Sequence, residues 1–229
     1  MPQRFALYYA PDVNDALWDR ASTWLGRDSA NGAPYEGSLA GIERTRLLNL
    51  TQSAGRYGFH ATLKPPMVLV DGATEEDLRA ALGDFAASTA PVALGPLRLA
   101  DLEGFLALVP QGDNDALQDL AARVVEEFEP FRAPLDPRQR AKRAENGLSD
   151  RQLELLDAYG YPYVFDQFRF HMTLTDRLDT EDRRDLMEAA QTWFAPVLHE
   201  PVTLDRVVLY HEPESGKLFR RIAEFGLKG

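Results

Sequence analysis

The five-residue phrase Phe-His-x-Thr-Leu occurs twice in this chain, as Phe59-His60-Ala61-Thr62-Leu63 and as Phe170-His171-Met172-Thr173-Leu174. It does not stand alone. The stretch from Phe5 to Leu17 aligns without a gap to Phe105 to Leu117, and Pro91-Val92-Ala93-Leu94 matches Pro201-Val202-Thr203-Leu204. Matches that recur in the same order are the signature of an internal repeat, and a repeat dictates that whatever the first half folds into, the second half folds into as well.

Each copy has the same pattern. An apolar strand (Phe5 to Tyr9; Phe105 to Val109) runs into a turn rich in Pro, Asp, Gly and Asn, and a helix capped by Asp or Asn follows. Ala16, Leu17, Ala21, Trp24 and Leu25 keep helical spacing, as do Leu117, Leu120, Val124 and Phe128. The motif strand comes next, then a second helix announced by Thr74-Glu75-Glu76-Asp77 or Thr180-Glu181-Asp182, with capping-box character. A closing strand ends each copy, over Val92 to Leu99 or Val202 to Tyr210. The expectation is an α+β fold, bilobal and duplicated, with antiparallel-rich sheets lining a central cleft and helices outside. It is a single bilobal domain over 1–229, built from repeats of about 5–101 and 105–212 plus a C-terminal strand at 217–226.

Strand geometry gives the motif its chemical meaning. Residues i and i+2 lie on one face, roughly 6–7 Å apart, so each copy aims one imidazole and one hydroxyl at the same surface while Phe, Ala or Met, and Leu turn the other way. Histidine is the side chain that gives or takes a proton near neutrality, and two of them can divide the roles of general base and general acid. His60, Thr62, His171 and Thr173 are therefore the candidate catalytic residues. There is no cysteine for a thiolate site or nucleophile, no HxH or HExxH metal set, no Gly-x-Ser-x-Gly elbow, and no Gly-rich phosphate loop followed by Lys-Ser/Thr. Neither metal nor cofactor is expected.

These residues carry a resemblance. The paired motifs look like those of the 2H phosphoesterase superfamily, which includes LigT-like RNA 2′,5′ ligases and cyclic phosphodiesterases. Arg56-Tyr57-Gly58 before the first motif, Lys64-Pro65-Pro66 after it, and Tyr161-Pro162-Tyr163 with Phe168-Arg169 before the second resemble a bacterial branch tied to phosphonate metabolism by operon association. The resemblance spans essentially the whole chain. It implies a cleft in which the two His/Thr pairs meet and a reaction that opens a cyclic phosphodiester. The branch suggests a phosphoribosyl 1,2-cyclic phosphate. A nucleoside or RNA 2′,3′-cyclic phosphodiesterase, or a 2′,5′ ligase-like enzyme, is the alternative, and a non-catalytic module that binds a phosphorylated ligand is a third reading.

Around the motifs, Lys64 shares the strand face of His60 and Thr62 and is placed to hold a second phosphate, while Arg169 and Thr175 flank His171 and Thr173 on theirs. Arg56 and Tyr57 are further candidate contacts. A basic stretch at 130–151 holds Arg132, Arg138, Arg140, Lys142, Arg143 and Arg151 within a chain of formal net charge −11. It reads either as a solvated helical insertion or as a flap over an anionic substrate, with Arg143 the contact. His199 and His211 read as surface residues. The acidity argues for a small phosphorylated partner rather than a long nucleic acid, which calls for a broad basic surface. The N-terminus lacks a signal-peptide pattern and no apolar run reaches membrane-span length, so a cytoplasmic monomer is expected.

Overall fold

A computed structural model describes residues 2–145 and 147–229. Eight strands form one sheet: β1 (Arg4–Tyr9), β2 (Ala61–Met67), β3 (Val92–Leu102), β4 (Phe105–Pro110), β5 (Met172–Thr173), β6 (Pro201–Leu204), β7 (Arg206–Glu212) and β8 (Arg220–Gly226). Their order is β6-β3-β4-β5-β2-β1-β7-β8, and every neighbouring pair is antiparallel. The α+β architecture is the expected one, with one refinement. The two lobes are halves of a continuous sheet, joined where β2 meets β5 at the pair Ala61↔Met172.

The halves also exchange their closing strands. β3, which ends the first copy, leaves β1 and β2 and pairs with β4 of the second copy. The cause is local. Leu102 pairs with Phe105, so only Glu103 and Gly104 connect the strands, both at positive φ (54° and 103°). A two-residue turn of that kind can join only adjacent antiparallel strands. β7 then takes the vacated place beside β1, from Arg4↔Glu212 to Tyr8↔Val208.

The helices are α1 (Ala16–Leu25), α2 (Arg44–Leu50), α3 (Gln52–Tyr57), α4 (Glu75–Ala87), α5 (Asp115–Glu127), α6 (Pro137–Ala144), α7 (Asp150–Tyr159) and α8 (Thr180–Phe194). Their starts follow the capping residues. Asp15 caps α1, Asn114 caps α5, and Thr74 with Asp77 forms the reciprocal box at α4. α8 is capped by Asp179, one residue ahead of the Thr180 signal, because the Asp179 side chain accepts the Asp182 N–H. Leu78, Leu82 and Phe85 of α4, Leu117, Leu120 and Val124 of α5, and Leu186, Ala190 and Phe194 of α8 are buried in one core cluster with Phe59, Ala61 and Leu63 of the first motif. No helix among the described residues is long and apolar enough to cross a membrane.

Candidate active site

Alternation along the two motif segments sorts the side chains. Phe59, Ala61 and Leu63 are buried, and so are Phe170, Met172 and Leu174, whereas His60, Thr62, His171 and Thr173 are only half-buried and line a common cleft of about 1040 Å³. Because Ala61 pairs with Met172 in antiparallel register, His60 lies beside Thr173 and Thr62 beside His171, at about 5 Å between Cβ atoms for such neighbours. Each copy therefore supplies the hydroxyl that faces the other copy's imidazole.

Both imidazoles are oriented by the same device. His60 Nδ1 is 2.8 Å from the Gly58 carbonyl, and His171 Nδ1 is 2.8 Å from the Arg169 carbonyl. A carbonyl only accepts, so Nδ1 carries the proton and Nε2 is left with its lone pair for the cleft. Thr62 and Thr173 make no side-chain hydrogen bond to any described residue, whereas Thr51, Thr74, Thr89 and Thr175 each use their hydroxyls within the fold.

The surroundings break the symmetry. Tyr8 of β1, opposite Thr62, stacks on His60 with ring centroids 3.8 Å apart and planes 20° apart. At the matching place opposite Thr173 stands Ala107, and His171 has only Phe105 at 5.8 Å and 56°. Burial accordingly pulls His60 down from 6.5 to about 4, opposed by the Gly58 carbonyl and helped slightly by His171. His171 is lowered by the same cause, opposed by the Arg169 carbonyl.

A direct consequence concerns pH. A depressed imidazole stays neutral in the fold while the unfolded chain takes up the proton, so this contribution to stability is present above about 6.5 and lost as pH falls toward 4. A dianion in the cleft acts the other way, since it favours the charged ring. Proton NMR titration is expected to place the His60 midpoint near 4 and to move it up by about one unit or more in sulfate. A midpoint at the ordinary 6.5, indifferent to sulfate, would contradict the geometry.

Gly58 links backbone to site. Its φ of 81° and ψ of 175° belong to a region that only glycine occupies readily, and a Cβ there would lie 2.6 Å from the Ser29 side chain. Gly58→Ala is expected to cost about 1–3 kcal/mol in urea unfolding and to displace the carbonyl that orients His60. An unchanged unfolding midpoint would show that the local backbone adapts.

The flanking candidates divide. Arg56, Tyr57, Lys64, Thr175 and Arg143 all line the cleft, but Arg169 does not. Its side chain is exposed: burial still alternates from Phe168 to Leu174, but Arg169 stands three residues ahead of the paired segment β5 and outside the cleft lining. Only its carbonyl serves the site. Lys64 is 1% exposed and its ammonium is already committed, to the Val125 carbonyl at 2.9 Å and Glu129 at 2.8 Å. It therefore braces the cleft instead of awaiting a phosphate. Thr175 is equally buried, and its hydroxyl accepts the Leu106 N–H at 2.9 Å, tying the end of the second motif to β4. Arg56 joins Arg4 on the fully buried Glu212 and lies over the Tyr57 ring. His211, expected at the surface, is half-buried in β7 and stacked on Phe5.

Sequence reasoning missed Tyr8, Arg4 and Glu212. The gap-free alignment sets Tyr8 against Leu108, whereas the strand register gives it the place of Ala107, so comparing the repeats carried no signal for it. The basic stretch divides between surface and cleft. Arg140 and Arg151 make exposed ion pairs with Asp157 and Asp166, while Arg132, Lys142 and Arg143 line the cleft. In all, seven lining residues are Arg or Lys and one, Asp176, is acidic. An acidic protein has concentrated its positive charge in one concavity, which favours an anionic ligand. No group of three or more His, Cys, Asp or Glu among the described residues is arranged to hold a metal ion.

Residues 62–220 match the family described as "Protein of unknown function (DUF1045)". The chain belongs to this family. Two curated relatives of this DUF1045 protein are named ribose 1,5-bisphosphate phosphokinase PhnN. One is from Janthinobacterium sp. (strain Marseille), 41% identical over 222 residues; the other is from Laribacter hongkongensis (strain HLHK9), 36% identical over 221. The alignments take in 94% and 95% of this chain but 49% and 50% of those proteins, so the chain spans about half the length of the curated relatives it matches. Among solved structures, a protein described as a phosphoesterase aligns over 100% of both chains at TM-score 0.45 and 11% identity. E. coli LigT complexed with NADP+ aligns over 100% of this chain and 99% of its own, at TM-score 0.45 and 12% identity.

Proposed function

We propose that this DUF1045 protein is a phosphoesterase that opens a small cyclic phosphodiester by proton transfer between two histidines. The observation that carries the reading is the crossed arrangement at β2 and β5, with each imidazole's Nε2 directed to a cleft that also holds the other copy's uncommitted threonine hydroxyl. Two groups able to exchange protons and two neutral donors around an electropositive concavity suit in-line attack of water on a bound phosphodiester.

In this reading His60 is the base. Its more desolvated ring, stacked on Tyr8, stays neutral and offers Nε2 to the attacking water. As the new P–O bond forms, the bond from phosphorus to one ring oxygen breaks, and the departing alkoxide takes a proton from Nε2 of His171. His171 enters the step charged because the bound phosphate raises its affinity for a proton. Thr62 and Thr173 donate to the non-bridging oxygens, where negative charge accumulates in the transition state. Each turnover leaves His60 protonated and His171 neutral, and exchange with solvent resets them.

For substrate we infer a phosphoribosyl 1,2-cyclic phosphate. Water opening that ring at the oxygen on carbon 2 leaves the phosphate on carbon 1, and the product is ribose 1,5-bisphosphate. That is the compound in the name of the Janthinobacterium and Laribacter relatives, of which this chain matches one half. A kinase of the bisphosphate joined to a half that produces it would form two consecutive steps.

The test is phosphorus NMR of purified protein with the cyclic sugar phosphate beside 2′,3′-cyclic nucleotides, with and without chelator. Conversion of the sugar ester, unaffected by chelator, is the expected result. Turnover of the nucleotides alone would overturn the substrate, and loss of turnover on chelation would overturn the mechanism.

A further inference from the structure

Around the pseudo-twofold axis between β2 and β5 the His/Thr pairs are matched, but what lies beyond them is not. Four residues past His171 stands Thr175, followed by Asp176, whose carboxylate accepts the Ser53 and Ala54 N–H groups at the start of α3. Four residues past His60 stands Lys64, and past it the cleft wall is made by Arg132 and Arg143. Arg4 belongs to the same end, because Phe5 pairs with Met67. Most of the positive charge of the cleft is gathered at this end, with Arg177, beyond Asp176, at the other.

Most of these cations are held in place. Glu129 takes Lys64 at 2.8 Å and Arg132 at 2.5 Å, and Glu212 takes Arg4 at 2.5 Å together with Arg56. Four cations thus share two carboxylates. Arg143, like Lys142 and Arg177, is a lining cation outside these pairs, and unlike those two it is half-buried. Its guanidinium donates to the Gly160 carbonyl, and the groups around it are Tyr161, Arg4, Tyr57 and Arg132, with no carboxylate among the described residues. Partly withdrawing such a group from water without a counter-charge has a cost that an arriving anion offsets. Burial, with a smaller contribution from Arg4 and Arg132, also lowers its pKa below the ordinary arginine value.

We propose that this end of the cleft is a second phosphate subsite, organised around Arg143, that holds the 5-phosphate of the phosphoribosyl ester while its cyclic diester lies at the His/Thr pairs. The subsite rests on the reading of the His/Thr pairs as the reaction centre. A guanidinium fork suits the oxygens of a terminal phosphate, and the paired Arg4 and Arg132 add field without spending their hydrogen bonds. The scale also fits. Four strand residues from His60 to Lys64 span about 13 Å, and arginine side chains reaching back over that distance leave room for a sugar between the two phosphates. Arg143 sits on α6, which has no buried residue, so it can adjust to a ligand without disturbing the core.

The experiment compares the full chain with Arg143→Gln and Arg143→Lys in two measurements. Calorimetry with ribose 5-phosphate as probe is expected to show binding to the wild type, a loss of thirtyfold or more in Arg143→Gln, and partial retention in Arg143→Lys. Turnover of the 1,2-cyclic phosphate with and without a 5-phosphate is expected to show a strong preference for the 5-phosphorylated ester that collapses in Arg143→Gln. Absence of ribose 5-phosphate binding to the wild type, or equal binding in Arg143→Gln, would overturn the subsite. If the wild type turns over neither ester while ribose 5-phosphate binding still depends on Arg143, the subsite stands and the reaction proposed for the His/Thr pairs falls.

Discussion

Alanine at His60 or at His171 is expected to lower turnover of the cyclic ester by about 10²–10⁴ each, the usual worth of one positioned proton-transfer group. The two losses should not multiply. The residues act on opposite ends of one displacement, so once either is gone the other has little left to assist, and the double variant should be scarcely slower than the worse single one. The pH profile separates their roles. With His60 as base and His171 as acid, the wild type follows a bell, and each alanine variant loses one limb. Binding of a product analogue should survive in both variants, because the cations lining the cleft are untouched. A phosphate-binding module without catalysis would instead show no turnover for either variant to lose.

Thr173→Val and Thr175→Val form the second informative pair, since the same substitution two residues apart should produce opposite phenotypes. The Thr173 hydroxyl makes no hydrogen bond to a described residue and faces the cleft, so its removal is expected to cost about 10²–10³ in kcat with little change in stability. Thr175 is 1% exposed and its hydroxyl satisfies the Leu106 N–H. Valine there leaves a buried donor unpaired, at about 1–3 kcal/mol of unfolding free energy. Urea unfolding with steady-state kinetics on both variants reads the contrast. A stability loss at Thr173, or a kinetic loss at Thr175 without destabilisation, would reverse the roles given to them.

Much of this was legible in the chain because strand alternation and duplication are local signals. The phrase around His60 shows which residues turn inward, and its second copy shows that the arrangement is used twice. What strands pair with was less accessible. The exchange of closing strands depends on the tightness of the Glu103-Gly104 turn, and nothing within the repeat units themselves reveals it. The same holds for the charged side chains. Lys64 and Arg143 look equally available in sequence, and only tertiary structure shows that Glu129, sixty-five residues away, occupies the first, while the second meets no acid among the described residues. Arg169 keeps the face that alternation assigns it but lies ahead of the two-residue β5 and beyond the cleft lining, and alternation alone does not show where a cleft ends. Tyr8 was hidden because an aromatic in an apolar strand reads as core, and it is core, 1% exposed, while also forming the stack under His60.

The central claim is that water attacks phosphorus in a cleft where two crossed His/Thr pairs handle the protons. The most direct measurement is hydrolysis of the phosphoribosyl 1,2-cyclic phosphate in ¹⁸O-water, followed by phosphorus NMR. One heavy oxygen in the phosphate on carbon 1, with the 2-hydroxyl unlabelled, is the predicted result, and its rate of appearance should fall by about 10²–10⁴ in His60→Ala. Label on a sugar carbon, or labelling that persists undiminished in His60→Ala, would contradict the account.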